Sequence, residues 1–218
     1  MQRNSLITFY RSVLLALLLG AGFVNAQDKA ELSQQALVQE LRKGGYNLYF
    51  RHVATDWTQT DQVQKSGDWT SCDPSRIRQL SDPGRNDAIL TGEAIRTLRI
   101  PIGRVVASPY CRTIDTAKLM FPGSVEVSTD VINLRVADYF GGRDLVITRF
   151  QSRLSAPPLA GTNNSFVAHG NLARAATTIY PDEGEAIVFR PLGNNQFEFV
   201  GRLTPLQWKA LADLLTSE

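Results

Sequence analysis

The chain is sparing with the residues that most often carry chemistry: its 218 positions hold two histidines, two cysteines and two methionines. It also lacks a surplus of either charge. Against 23 Lys+Arg stand 21 Asp+Glu, and two of the arginines, Arg3 and Arg11, fall in an amino-terminal leader. The remainder is close to neutral, which argues against nucleic acid or an anionic membrane surface as a partner. No apolar stretch reaches the roughly 20 residues that span a bilayer. Internal repeats, low-complexity tracts and any composition break that would mark a second domain are absent.

The amino terminus has the pattern of a secretory signal. Arg3 and Arg11 give a positive flank, Val13–Val24 an apolar core, and Val24-Asn25-Ala26 a small-x-small cleavage site. Residues 1–26 are therefore expected to be removed, leaving 27–218 as one domain in the periplasm or secreted, with no stable membrane insertion. No cysteine follows the cleavage site that would anchor a lipid. Export places Cys72 and Cys111 in an oxidising compartment, where an even count favours a disulfide; two buried thiols are the alternative. Cys72 and Arg78 also have the Cys-x5-Arg spacing of cysteine phosphatases. The segment before them, Lys65–Ser71, is no strand, however, and the loop carries no glycine.

Hydrophobic spacing predicts helices over 32–43, 86–98, 112–120, 144–154 and 171–179, and strands over 46–50, 103–108, 125–127 and 165–168. A hairpin is expected around Gly193-Asn194-Asn195. A last helix opens on Thr204-Pro205-Leu206-Gln207, a capping box, and is expected to bury Leu206, Leu211, Leu214 and Leu215. Alternating strands and helices imply an α/β fold, a three-layer α/β/α sandwich around a mostly parallel sheet. Residues 54–81 form a long polar stretch, and a loop that long in a compact domain is usually functional.

Each histidine ends an apolar strand: Tyr46–Phe50 runs into Arg51-His52, and Ser165–Ala168 into His169-Gly170. Ligands of open α/β sheets gather outside the carboxyl ends of the strands, so both imidazoles are expected in one crevice. The segment Arg51-His52-Val53-Ala54-Thr55-Asp56-Trp57-Thr58 resembles the opening Arg-His-Gly-Glu-Thr-x-Trp-Asn motif of the histidine phosphatase superfamily. Leu80-Ser81-Asp82-Pro83-Gly84 with Ala88 is similar to its Leu-(Ser/Thr)-x-x-Gly helix start. Ser108–Ala117 is similar to its second arginine motif, and Val167-Ala168-His169-Gly170 to its closing histidine motif. The ordered set spans about residues 46–174.

The resemblance implies a phosphoglycerate mutase-like fold and a metal-independent, cofactor-free phosphomonoesterase. His52 is then the nucleophile, forming a phosphohistidine. His169 assists at the phosphoryl oxygens, and Arg51, Arg112 and Thr55 bind phosphate. The residue types suit that chemistry. A guanidinium fork matches phosphate oxygens, and an uncharged imidazole attacks phosphorus and splits one displacement into two. Two departures stand out. Val53 replaces a glycine, and Val136 occupies the place of the family's acidic residue after Leu134. The candidates for a general acid are Asp138 first, then Asp182, Glu183 and Glu185; Gly170 stands where a second branch has aspartate. Trp57 either packs on substrate or caps the core, and Trp69, Arg76 and Arg78 are read as a solvated loop face. The expected partner is a small phosphorylated molecule, with location alone suggesting an envelope sugar phosphate. Mutase chemistry and a phosphate-binding module without turnover are the competing readings.

Overall fold

The computed structural model describes residues 31–216, so the leader and its cleavage site lie outside the described residues. One six-stranded sheet runs in the order β3-β2-β4-β1-β5-β6, with β1 Asn47–Arg51, β2 Ile102–Ala107, β3 Glu126–Val127, β4 Asn163–Ala168, β5 Ala186–Gly193 and β6 Gln196–Leu203. β1, β2, β3 and β4 pair in parallel, and β5 is antiparallel to both its neighbours. The helices are α1 Gln34–Lys43, α2 Asp82–Thr97, α3 Cys111–Met120, α4 Arg143–Ser155, α5 Gly170–Thr177 and α6 Pro205–Thr216.

Strand alternation separates two cores. Leu48, Phe50, Val167 and Val188 face α1, α2, α3 and α6, whereas Tyr49, Phe166, Ala168 and Ile187 face α4 and α5. Each fully buried large side chain contributes about 1.5–3 kcal/mol through its removal from water. The expected α/β/α sandwich is the one observed.

Local chemistry sets the element ends. Ser81 Oγ accepts from the Gly84 amide at 3.2 Å, starting α2 earlier than the apolar spacing predicts. A Cβ on Gly84 would lie 2.1 Å from the Ala54 carbonyl oxygen, so only glycine lets α2 pack against the chain just beyond His52. Thr204 and Gln207 exchange hydrogen bonds of 2.8 and 3.3 Å at the head of α6, the capping box expected there. Asn194 and Asn195 have φ of 50° and 58°, the left-handed pair that closes a two-residue hairpin.

Two packing expectations are corrected. In α6 the buried face is Trp208, Leu211 and Ala212, spaced i, i+3, i+4, while Leu206, Leu214 and Leu215 are exposed. Trp69 is no solvated loop residue; it is buried against the rings of Tyr139 and Phe140 at 5.2 and 5.3 Å.

Cys72 and Cys111 form a disulfide. It ties the 54–81 segment to the first residue of α3. Closing a loop of this length stabilises the fold by at most about 4 kcal/mol in the chain-entropy picture. It also leaves Cys72 no thiolate for the cysteine-phosphatase chemistry that its spacing to Arg78 suggested.

Candidate active site

Register brings the two histidines together. Arg51 pairs with Ala168 across the parallel β1–β4 ladder, so the next residues, His52 and His169, are neighbours at the same carboxyl edge. The His52 amide donates to the Ala168 carbonyl at 3.0 Å, carrying the ladder one residue further. The two rings lie 5.6 Å apart, edge to face, and are only 4% and 2% exposed. β2 ends beside them, and its continuation supplies Ser108 and, from the first turn of α3, Arg112, which is 2% exposed.

Hydrogen bonding assigns the nitrogens. His52 Nδ1 lies 2.9 Å from the Val53 carbonyl oxygen, which can only accept. The proton therefore sits on Nδ1, and Nε2 carries the lone pair. Val53 itself is buried in the core, so its backbone orients the His52 ring while its side chain packs away from the cavity. His169 Nε2 lies 2.9 Å from Ser108 Oγ, and its Nδ1 is buried without a protein partner. With the Ser108 hydroxyl as donor to Nε2, the His169 tautomer is the one protonated on Nδ1. Tyr49 Oη clamps the His169 backbone, donating to its carbonyl at 2.7 Å and accepting from its amide at 2.9 Å.

Burial pushes both imidazoles well below the usual histidine range, and the positive charge of Arg112 pushes them the same way. Both are uncharged at neutral pH. Below about pH 6.5 the unfolded chain protonates its histidines while the folded chain does not, so the unfolded state holds more protons and stability falls as the pH is lowered. The unfolding free energy measured by urea titration is expected to drop between pH 7 and 5, by up to about 1.4 kcal/mol per pH unit for each histidine, and His169→Asn is expected to halve that slope. Glu40, Asp56, Asp68 and Asp73 are held below their ordinary values, mainly by hydrogen bonds, so what they contribute is intact from pH 7 to 5 and is lost only at lower pH.

A cavity of about 230 Å³ is lined by Arg51, His52, Arg112 and His169, together with Trp57, Asp61, Arg78, Asn133, Arg135, Gly170, Asn171 and Tyr180. Arg51 reaches it from the end of β1, donating to the Pro181 carbonyl at 3.1 Å and to Glu183 Oε1 at 3.2 Å. Thr55 is buried and gives its hydroxyl to the same Glu183 oxygen at 3.3 Å, so in this structure it braces the Arg51 partner and does not line the cavity. Trp57 is exposed and lies on the Arg78 guanidinium, 3.7 Å from ring centroid to carbon; it does not cap the core.

None of the carboxylates weighed from the sequence lines the cavity, although Glu183 touches it through its ion pair with Arg51. Asp138 is exposed, one 3-10 turn or about 6 Å beyond Arg135 in the helix Leu134–Phe140. Asp182 is also exposed, and Glu185 is buried and accepts from the Asp182 amide at 2.8 Å. At Gly170 a Cβ would lie 2.8 Å from the Tyr180 ring, so the aspartate of the second branch has no room here. Spacing missed Asp61 and Arg135 as cavity residues, and Arg78 is no solvated loop residue but lines the cavity as well. Only Arg135 had a signal, since it lies between Leu134 and Val136, the pair already set against the family's acidic position. Asp61 lies in a stretch with no periodicity.

No family profile and no curated protein sequence matches the chain. Solved structures do. The fold is similar to that of a mycobacterial glucosyl-3-phosphoglycerate phosphatase (TM-score 0.50, 16% identity, covering 74% of this chain and 100% of that one). It is also similar to a phosphoserine phosphatase from Entamoeba histolytica (0.50, 11%, 74% and 98%) and to the product of open reading frame Rv3214 from Mycobacterium tuberculosis (0.50, 18%, 73% and 98%). At these identities the likeness is one of fold, and the fold is the phosphoglycerate mutase-like one that the motifs imply.

Proposed function

We propose that this protein is an exported, metal-independent phosphomonoesterase of the histidine phosphatase type, acting through a phosphohistidine on His52. One observation carries the reading: two uncharged imidazoles and the guanidiniums of Arg51 and Arg112 line a single cavity, and His52 Nε2 holds the lone pair. A phosphoryl group placed there takes its equatorial oxygens to Arg51, Arg112 and His169 Nδ1–H. His52 Nε2 attacks in line, and water then displaces phosphate from it. Fixed cationic donors in a buried site stabilise the charge that builds on those oxygens. Two fold neighbours are phosphatases of small phosphorylated molecules by name, which supports a substrate of that class. The leader pattern and the disulfide support export, and on that ground an envelope sugar phosphate is the proposed substrate class.

The test is label transfer. Incubation with a ³²P-labelled phosphomonoester, stopped in alkaline detergent where phosphohistidine persists, is expected to trap label on wild-type protein and none on His52→Ala. A phosphate-binding module without turnover would take up no label, and that result would overturn the reading.

A further inference from the structure

The chemistry above leaves one proton without a donor. As His52 Nε2 bonds to phosphorus, the ester oxygen leaves on the opposite side, and a poor leaving group needs a proton as it goes. His52 and His169 follow the paired ends of β1 and β4. The 54–81 segment contributes Trp57, Asp61 and Arg78 to another part of the wall of the same cavity. Asp61 is the carboxylate in that wall.

Its side chain is 12% exposed and is held from three elements. Arg112 Nη1 of α3 donates at 2.8 Å, Arg135 Nη1 of the 3-10 helix at 3.2 Å, and Arg78 Nη2 of its own segment lies at 3.7 Å. The remaining contact, from Arg112 Nη2, is looser at 3.4 Å, and Arg112 Nε is buried with no partner at all. Nε and Nη2 form the side fork of a guanidinium, the pair suited to two phosphoryl oxygens. Arg112 can thus bind the phosphoryl group through that fork and keep Asp61 on Nη1. One guanidinium then sets a carboxyl group beside the bound ester.

We propose that Asp61 is the general acid of this site, protonating the leaving oxygen and then, as carboxylate, activating the water that frees phosphate from His52. This rests on the phosphatase reading and deepens it: with such a donor, esters of ordinary alcohols become substrates, and activated aryl esters are not the limit. The ester arrives as its monoanion, and its proton passes to Asp61 as the phosphoryl oxygens engage the arginines. The N–P bond forms as the P–O bond breaks; the electron pair stays on oxygen, which takes the Asp61 proton and leaves as the alcohol. Water then attacks phosphorus and gives its proton to Asp61. The N–P electrons return to Nε2, and phosphate departs as its monoanion with that proton.

The experiment compares kcat/KM on phenyl and p-nitrophenyl phosphate, esters of similar size whose leaving groups differ in their need for a proton. Asp61→Asn is expected to lower the phenyl phosphate value by about 100-fold or more and the p-nitrophenyl value by less than about tenfold. Asp61→Glu is expected to restore part of the difference. The ratio of the two substrates on one preparation does not depend on the fraction folded, so misfolding cannot imitate the result. Equal losses on both esters would make Asp61 a brace for the arginines, and equal or faster rates would make it an occluding plug; either overturns the proposal while leaving the phosphatase reading standing. Wild-type protein that hydrolyses neither ester and takes no label on His52 would overturn both.

Discussion

Replacing His52 by alanine is expected to lower kcat on p-nitrophenyl phosphate by roughly 10⁴-fold or more, because the bond-forming lone pair is lost and no second group can supply it. His169 cannot substitute. Its Nε2 is engaged by Ser108, and its Nδ1 is buried. The variant keeps Arg51, Arg112 and His169, so inhibition by inorganic phosphate measured against residual turnover, or direct phosphate binding by calorimetry, is expected to stay within a few-fold of wild type. That split between a lost kcat and a retained anion site distinguishes removal of a nucleophile from collapse of the cavity. Chelators are expected to leave the wild-type rate unchanged. A His52→Ala protein that retained more than about a tenth of its kcat would remove His52 from the mechanism.

The second large effect is expected at Arg112. Its side chain is almost fully buried, its guanidinium carbon lies 4.6 Å from the centre of the Tyr110 ring, and Nη1 also donates to the Arg78 carbonyl at 3.2 Å. Lysine keeps the charge but presents one ammonium in place of a planar fork. It cannot hold Asp61, the Arg78 carbonyl and a phosphoryl oxygen pair at once. Arg112→Lys is therefore expected to lower kcat/KM by about 10²–10³-fold, the range found when a positioned donor to a developing anion is removed. Arg51 differs in degree: it is shared with Pro181 and Glu183, and nothing in the structure joins it to Asp61. A loss of less than about threefold in Arg112→Lys would show that phosphate is bound elsewhere.

Much of this site was legible before the fold. The Arg51-His52 and His169-Gly170 steps each end an apolar strand, and parallel strands in one sheet present their carboxyl ends on the same edge. Two such signals suffice to bring His52 and His169 together, whatever lies between them in sequence. Arg112 was legible through its motif, since the first turn of a helix that follows a strand returns to the same edge. Asp138 illustrates where that reasoning stops. It is near Arg135 in sequence and lies one turn away from the cavity, because a 3-10 helix advances about 2 Å per residue. Asp61 illustrates the converse. Nothing in 54–81 has a period, and its side chain is placed by Arg78, Arg112 and Arg135, which come from elements separated in the chain.

The residue order by itself determined the α/β layering, the strand-end placement of both imidazoles and the cysteine pair available for bridging, because each depends on local periodicity, on termini of elements or on a count. Only the tertiary structure decided which carboxylate shares the cavity, which histidine nitrogen bears the proton and how deeply the charges are buried. Those properties arise where distant segments meet: a carbonyl at 2.9 Å fixes a tautomer, and three guanidiniums from three elements fix one aspartate. Periodicity carries no information about such meetings.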